Sequence, residues 1–202
     1  MTSSAHTGRA PCQCHRVCPW WMGWMLANPL RTLVENPRRL TAGLVEEGHH
    51  VLEVGPGMGF FTVPIAEQVG TNGRVVCVDL QPRMLTGLKR RLIRKGLLGR
   101  VETRECSPTD LRIQDLAKSM DLAALIHVLH ESPDPQAMLG QVAAALRPGG
   151  RMLLMEPKGH CCKDLFAAEL EAAKDAGLQL QNQKLDDPGR NLKAIFQRPV
   201  GS

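Results

Sequence analysis

The first 16 residues are polar and carry no repeating hydrophobic pattern. Three short helical pieces follow, each opened by a proline: Pro19, Pro29 after Asn28, and Pro37 after Asn36. Proline suits the first turn of a helix, and the residue before it resists helix. This cap runs to about Glu47. Strand and helix signals then alternate. VLEVG (51–55), RVVCVDL (74–80), VETRE (101–105), MDLAALI (120–126) and RMLLME (151–156) read as strands. FFTVPIAEQV (60–69), 82–98, 135–147 and 163–176 read as helices, with Met84, Leu85, Leu88, Leu92 and Ile93 expected on one face of the second. Gly70, Pro148-Gly149-Gly150 and Gly177 mark stops. LQLQNQKL and NLKAIFQR read as a final strand pair around the turn Asp186-Asp187-Pro188-Gly189.

Five βα units imply a parallel sheet covered by helices on both faces. The expected fold is α/β and doubly wound: a Rossmann-like, mostly parallel seven-stranded sheet with a C-terminal antiparallel hairpin and an N-terminal helical cap. The expected division is cap 1–47 and main domain 48–202. Ligands in such sheets bind beyond the carboxyl ends of the strands, so the residues just after each strand carry the candidate chemistry.

Composition narrows this picture. With 202 residues and 43% hydrophobic content, a single domain with a real core is expected. No apolar run reaches the roughly 20 residues of a membrane-spanning helix, which excludes an integral helical membrane protein. Aromatics are only 3%, with no Tyr, and all three Trp (Trp20, Trp21, Trp24) cluster near the N-terminus. Few aromatic walls are therefore expected beyond the cap, which favours a small, non-planar ligand. The run from Val17 to Ala27 contains Pro19 and Gly23 and is Trp-rich rather than Leu-rich, unlike an export signal. The seven cysteines, with Cys77 inside an apolar strand, read as reduced thiols of a cytoplasmic protein. A net charge of +5 is compatible with anionic partners without demanding one.

After the first strand comes Glu53-Val54-Gly55-Pro56-Gly57-Met58-Gly59-Phe60. Glycines here permit a tight turn and close ligand approach, and the next helix presents free N–H groups to the same place. A dinucleotide fingerprint would need a third glycine where Phe60 stands. The G-x-G-x-G form, with an acid two residues before it, resembles motif I of class I S-adenosylmethionine-dependent methyltransferases. Asp79 at the end of the second strand, MDLAALIHVLHESPD and LRPGGRMLLMEP also resemble that family's motifs in order, over about residues 51–157. Among its subgroups the chain is similar to the small type-11 group, with quinone-biosynthesis and arsenite methyltransferases.

The resemblance implies methyl transfer from S-adenosylmethionine by in-line displacement to a small-molecule acceptor, with a thiol or other soft nucleophile among the candidates. It implies cofactor contacts from Glu53, Gly55, Gly57, Gly59, Asp79, Leu80 and Ser107. Asp79 would take the ribose hydroxyls, and Ser107 stands where an adenine-binding Asp is frequent. His127 and His130 are the catalytic candidates, with His127 favoured to face substrate. Cys18, Trp20, Trp24, Glu156 and His160 are candidates for substrate contact or for the cap. Arsenite methyltransferases bind substrate through cysteines, and Cys18 with Cys161 and Cys162 is the corresponding candidate here. Cys12-x-Cys14-x3-Cys18 has poor spacing for zinc, and no metal is expected. Lys89, Arg90, Arg91, Arg94 and Lys95 form a basic helix surface, read as a solvated face rather than a nucleic-acid patch. His127-Val128-Leu129-His130 matches neither the N-P-P-Y loop nor the Pro-Cys loop of base methyltransferases. The alternatives are an RNA or protein methyltransferase using that helix and a non-catalytic S-adenosylmethionine-binding protein. The Trp cluster leaves peripheral membrane contact open beside a lid and a packed cap.

Overall fold

The computed structural model describes residues 18–23, 28, 30–31, 35–158, 161–184 and 191–201. Seven strands form one sheet: β1 (His50–Val54), β2 (Arg74–Asp79), β3 (Val101–Glu105), β4 (Met120–Ile126), β5 (Leu146–Pro157), β6 (Gln179–Lys184) and β7 (Asn191–Gln197). Their order is β3-β2-β1-β4-β5-β7-β6. β1 to β5 run parallel, and β7 is antiparallel to both β5 and β6. The helices are α1 (Pro37–Leu40), α2 (Thr62–Gln68), α3 (Pro82–Arg94), α4 (Pro135–Ala145) and α5 (Lys163–Asp175). The expected doubly wound sheet with its antiparallel end is thus present. The turn 186–189 lies outside the described residues.

The central strands read as near-continuous apolar runs, interrupted in β1 by the buried Glu53, because both their faces are covered. One buried cluster joins Leu52, Val76, Leu125 and Leu154 to α4, α5 and Phe196. The other joins Val51, Cys77, Leu122 and Leu153 to α2 and α3. β7 keeps a period of two, with Leu192, Ala194 and Phe196 buried between half-exposed neighbours.

Three expectations need correction. The third βα unit has no α-helix: β3 leads to β4 through a loop with one 3-10 turn, Gln114–Leu116. Ile93 is not on the buried face of α3 but 61% exposed, because one residue past Leu92 turns the chain by about 100°. α4 ends at Ala145, and Leu146 already pairs with Met120, since Pro148 cannot extend a helix.

The strand order reverses between β1 and its neighbours β2 and β4. The carboxyl ends of these strands open on a cavity of about 1040 Å³. Gly55 and Gly57 from the loop after β1, Asp79 and Leu80 after β2, Ser107 after β3 and His127 after β4 all line it.

Candidate active site

Asp79 sits at the end of β2 and is 8% exposed. The N–H of Gln81 donates to its Oδ1 at 2.8 Å and the N–H of Gly57 to its Oδ2 at 3.3 Å. Burial pushes its carboxyl up to about 6, against the lowering effect of these two N–H groups. Each oxygen keeps an acceptor site, so the pair can take two hydroxyl hydrogens. Gly57 has φ +53°, and a Cβ there would meet no heavy atom within 4 Å. It therefore borders open cavity space, which leaves room for close approach to its backbone. Gly55 has φ +68°, and a Cβ there would lie 2.7 Å from Cγ2 of Val128. Only glycine lets the first loop pass beneath the fourth. These features fit a nucleoside bearing a vicinal diol.

The other cofactor candidates differ in position. Leu80 and Ser107 line the cavity. The Ser107 hydroxyl accepts from the N–H of Asp110 at 3.0 Å, so it also builds its own turn. A Cβ on Gly59 would lie 2.5 Å from Leu88 Cδ1, so this glycine lets α3 close on the loop. Glu53 is buried in β1, paired in register with Cys77, whose thiol donates to it at 3.6 Å. Burial pushes Glu53 up to about 7. It is not among the cavity's lining residues.

The segment from Cys18 to Gly23 is fastened over the cavity at two points. The N–H of Cys18 donates to Glu131 Oε2 at 3.2 Å, and Gln81 Nε2 donates to the Cys18 carbonyl at 2.8 Å. Cys18, Met22 and Gly23 line the cavity. Trp20 and Trp21 instead turn outward, 39% and 61% exposed, with the Arg83 guanidinium 4.6 Å from the Trp20 ring centre. Trp20 is therefore not a wall of the cavity. Trp24, His160, Cys12 and Cys14 lie outside the described residues. Cys161 is buried and Cys162 caps α5, and neither lines the cavity that Cys18 borders. No thiol pair with Cys18 is formed. Burial and Glu131 push the Cys18 thiol up, and burial and Asp79 push Cys106 up to about 11. Both thiols at the cavity therefore stay protonated near neutral pH.

After β4 the two histidines have different surroundings. His130 is 7% exposed and its Nδ1 bonds Oε2 of Glu156, which is fully buried. Glu156 Oε1 accepts from the N–H of Leu129 at 2.9 Å and of His130 at 3.3 Å. Burial disfavours the charged ring, but the Glu156 carboxylate outweighs it and raises the His130 pKa. This pair clamps the loop. Asp134, the last residue of the loop motif, caps α4 by accepting from the N–H of Ala137 at 2.9 Å.

His127 has φ +58°, a strained backbone for a residue with a side chain. Its N–H donates to the Met155 carbonyl at 2.7 Å. Arg31 Nη2 lies 3.3 Å from its Nδ1, and Asn191 Oδ1 lies 3.0 Å from its Nε2. An arginine only donates, so Nδ1 accepts and Nε2 carries the proton. Burial lowers the His127 pKa, Glu35 opposes this, and Arg31 adds to it. Asn191 Nδ2 donates to Glu35 Oε1 at 2.7 Å, and Arg31 Nε to Glu35 Oε2 at 2.8 Å. The result is a ring of four: Arg31, Glu35, Asn191 and His127. Arg31 also lies 4.5 Å from the Phe60 ring centre, and Phe61 stands edge-on to His127.

Sequence reasoning did not single out Arg31, Glu35 or Asn191. It expected few aromatic walls beyond the cap, and Phe60 and Phe61 line the cavity. The residue that breaks the dinucleotide fingerprint is itself part of the wall.

Residues 45–194 match the family model described as a methyltransferase domain. The ubiquinone biosynthesis O-methyltransferase of Xanthomonas axonopodis pv. citri is 30% identical over 209 residues, covering 89% of this chain and 84% of that one. The ubiquinone/menaquinone biosynthesis C-methyltransferase of Pseudoalteromonas translucida is 31% identical over 112 residues. That match covers 55% of this chain and 44% of the relative, so the chain spans under half of that protein. A solved S-adenosylmethionine-dependent methyltransferase of Aquifex aeolicus shares the fold, with TM-score 0.79 and 19% identity over 90% of this chain and 99% of that one. The motifs, the sheet order and the family match agree: the chain belongs to the class I S-adenosylmethionine-dependent methyltransferases, in the circle of the quinone-biosynthesis enzymes.

Proposed function

We propose that the protein methylates a small-molecule acceptor held against the Arg31–Glu35–Asn191–His127 ring. The observation that carries this reading is the single cavity running from Asp79 and Gly57 to that ring. Asp79, Gly55, Gly57, Leu80 and Ser107 would hold the cofactor, with Glu53 and Gly59 shaping the loop. S-adenosylmethionine supplies an electrophilic sulfonium methyl group.

The chain's own residues position, dry and deprotonate. Phe60 and Phe61 offer apolar faces to the acceptor body, and Cys18, Met22 and Gly23 at the cavity would help exclude water. An acceptor hydroxyl entering between Arg31 and His127 would give its proton to Nδ1. Arg31 would then face the oxygen anion while keeping Glu35. His130 and Glu156 hold the loop that presents His127. The names of the relatives, O- and C-methyltransferases of quinone biosynthesis, support an acceptor with an ionisable hydroxyl over a thiol. We read the setting as cytoplasmic, where Cys18, Cys77 and Cys106 stay thiols.

The test is incubation with methyl-labelled S-adenosylmethionine and fractionated cell extract. Label in a low-mass fraction supports the reading. Label confined to RNA or protein, or none at all, opposes it.

A further inference from the structure

We propose that the outer face of the cap and of α3 docks on an anionic lipid bilayer. Two neighbouring elements each send one residue inward and the next outward. Met22 and Gly23 line the cavity while Trp20 and Trp21, just before them, point to solvent. Gln81 and Met84 line the cavity while Arg83, between them, reaches out to Trp20. The rim of the cavity and this outer surface are therefore the two sides of one thin wall.

The outer surface combines two chemistries. Trp20 and Trp21 are consecutive, large and 39% and 61% exposed, which core packing does not explain. Arg83, Arg90 and Arg94 follow at i, i+7 and i+11 along α3, so they form one exposed stripe that starts at the Trp pair. Ile93, 61% exposed, lies beside that stripe. Tryptophan has an apolar body and a polar N–H, which suits the headgroup level of a bilayer. Arginines next to it match anionic headgroups, each worth roughly fivefold in partitioning. One Trp20 face is already covered by Arg83, which leaves that ring poorly placed to stack on a nucleobase. Among the described residues no helix is long and apolar enough to cross a membrane, so the contact is peripheral. It would set the cavity rim at the lipid surface, whatever the acceptor is.

The experiment is co-sedimentation of the full chain with vesicles of phosphatidylcholine alone and of phosphatidylcholine mixed with phosphatidylglycerol. Single-stranded RNA serves as a competing ligand. Binding is expected to the mixed vesicles, to weaken with salt, and to be marginal on neutral ones. The triple variant Arg83→Gln, Arg90→Gln, Arg94→Gln should lose on the order of a hundredfold at low salt. The variant Trp20→Ser, Trp21→Ser should lose at least about tenfold while keeping the salt dependence. Thermal midpoints equal to that of the unaltered chain control for folding. No binding to mixed vesicles, binding indifferent to the Trp variant, or RNA displacing the vesicles through the arginines would each overturn the proposal. None of these would bear on methyl transfer itself.

Discussion

Arg31 of the cap points its guanidinium at Nδ1 of His127, 3.3 Å away and 96 residues on in the chain. This contact fixes the imidazole tautomer and aims its lone pair at a group that a substrate can displace. The imidazole is held at both ring nitrogens, and in the proposed mechanism it would act as the base.

His127→Ala should reduce kcat by about 10²- to 10⁴-fold if the residue takes the proton. Affinity for S-adenosylmethionine, measured by calorimetry, should barely change. The pH profile discriminates further. Burial lowers the His127 pKa, so the base form is present through neutral pH. The acid limb of kcat should lie below the ordinary histidine range and vanish in the variant. Arg31→Lys should retain the limb and lose turnover, because an ammonium lacks the planar fork held by Glu35.

Asp79→Ala should weaken S-adenosylmethionine binding on the order of a hundredfold, as two bonds to a charged acceptor are lost. The carboxyl, pushed up to about 6 by burial, must be ionised to accept both hydroxyls. Affinity should therefore be full above that pH and fall as pH drops through it. Calorimetric titration from about one and a half units below that value to about one and a half above it checks this.

Gly55→Ala and Gly57→Ala should separate stability from binding. Both positions have positive φ, so each alanine costs about 1–2 kcal/mol of backbone strain. The Gly55 variant also drives Cβ into Val128 and should melt lower. The Gly57 variant meets only cavity space, so its further loss should appear in cofactor affinity. Thermal melts with and without S-adenosylmethionine measure both.

Glu156→Gln should cost about 1–3 kcal/mol of stability, because the neutral amide still accepts from the loop N–H groups but no longer holds the His130 charge. The sign of its pH dependence follows from His130. Its folded pKa is raised, so its contribution is complete below the ordinary value of about 6.5 and is lost as pH rises through the folded value. Denaturant midpoints of the variant should lack that decline.

Much of this was legible in the chain itself. Near-continuous apolar runs marked β1, β2 and β4 because both their faces are covered, and Gly55 and Gly57 with Asp79 marked the strand ends on which the cavity opens. Local signals could place these features, since each belongs to one strand and its following turn. The ring was hidden because its members come from the cap, β4 and β7: Asn191 and Glu35 meet across 156 residues. The polar Asn191 opening an otherwise apolar-alternating strand was the one available hint. Ile93 was misplaced because a helix face is about 100° wide and the run of four leucine-type positions did not fix its edge. The count of five βα units was one too many because 106–119 offers Pro108 and short polar turns instead of a 3.6-residue period.

The most direct measurement is a crystal structure of the full chain with S-adenosylhomocysteine. The account predicts ribose hydroxyls on both Asp79 oxygens and the sulfur facing the Arg31–His127 contact across open cavity. Ribose bound away from Asp79, or a sulfur turned from His127, would contradict it.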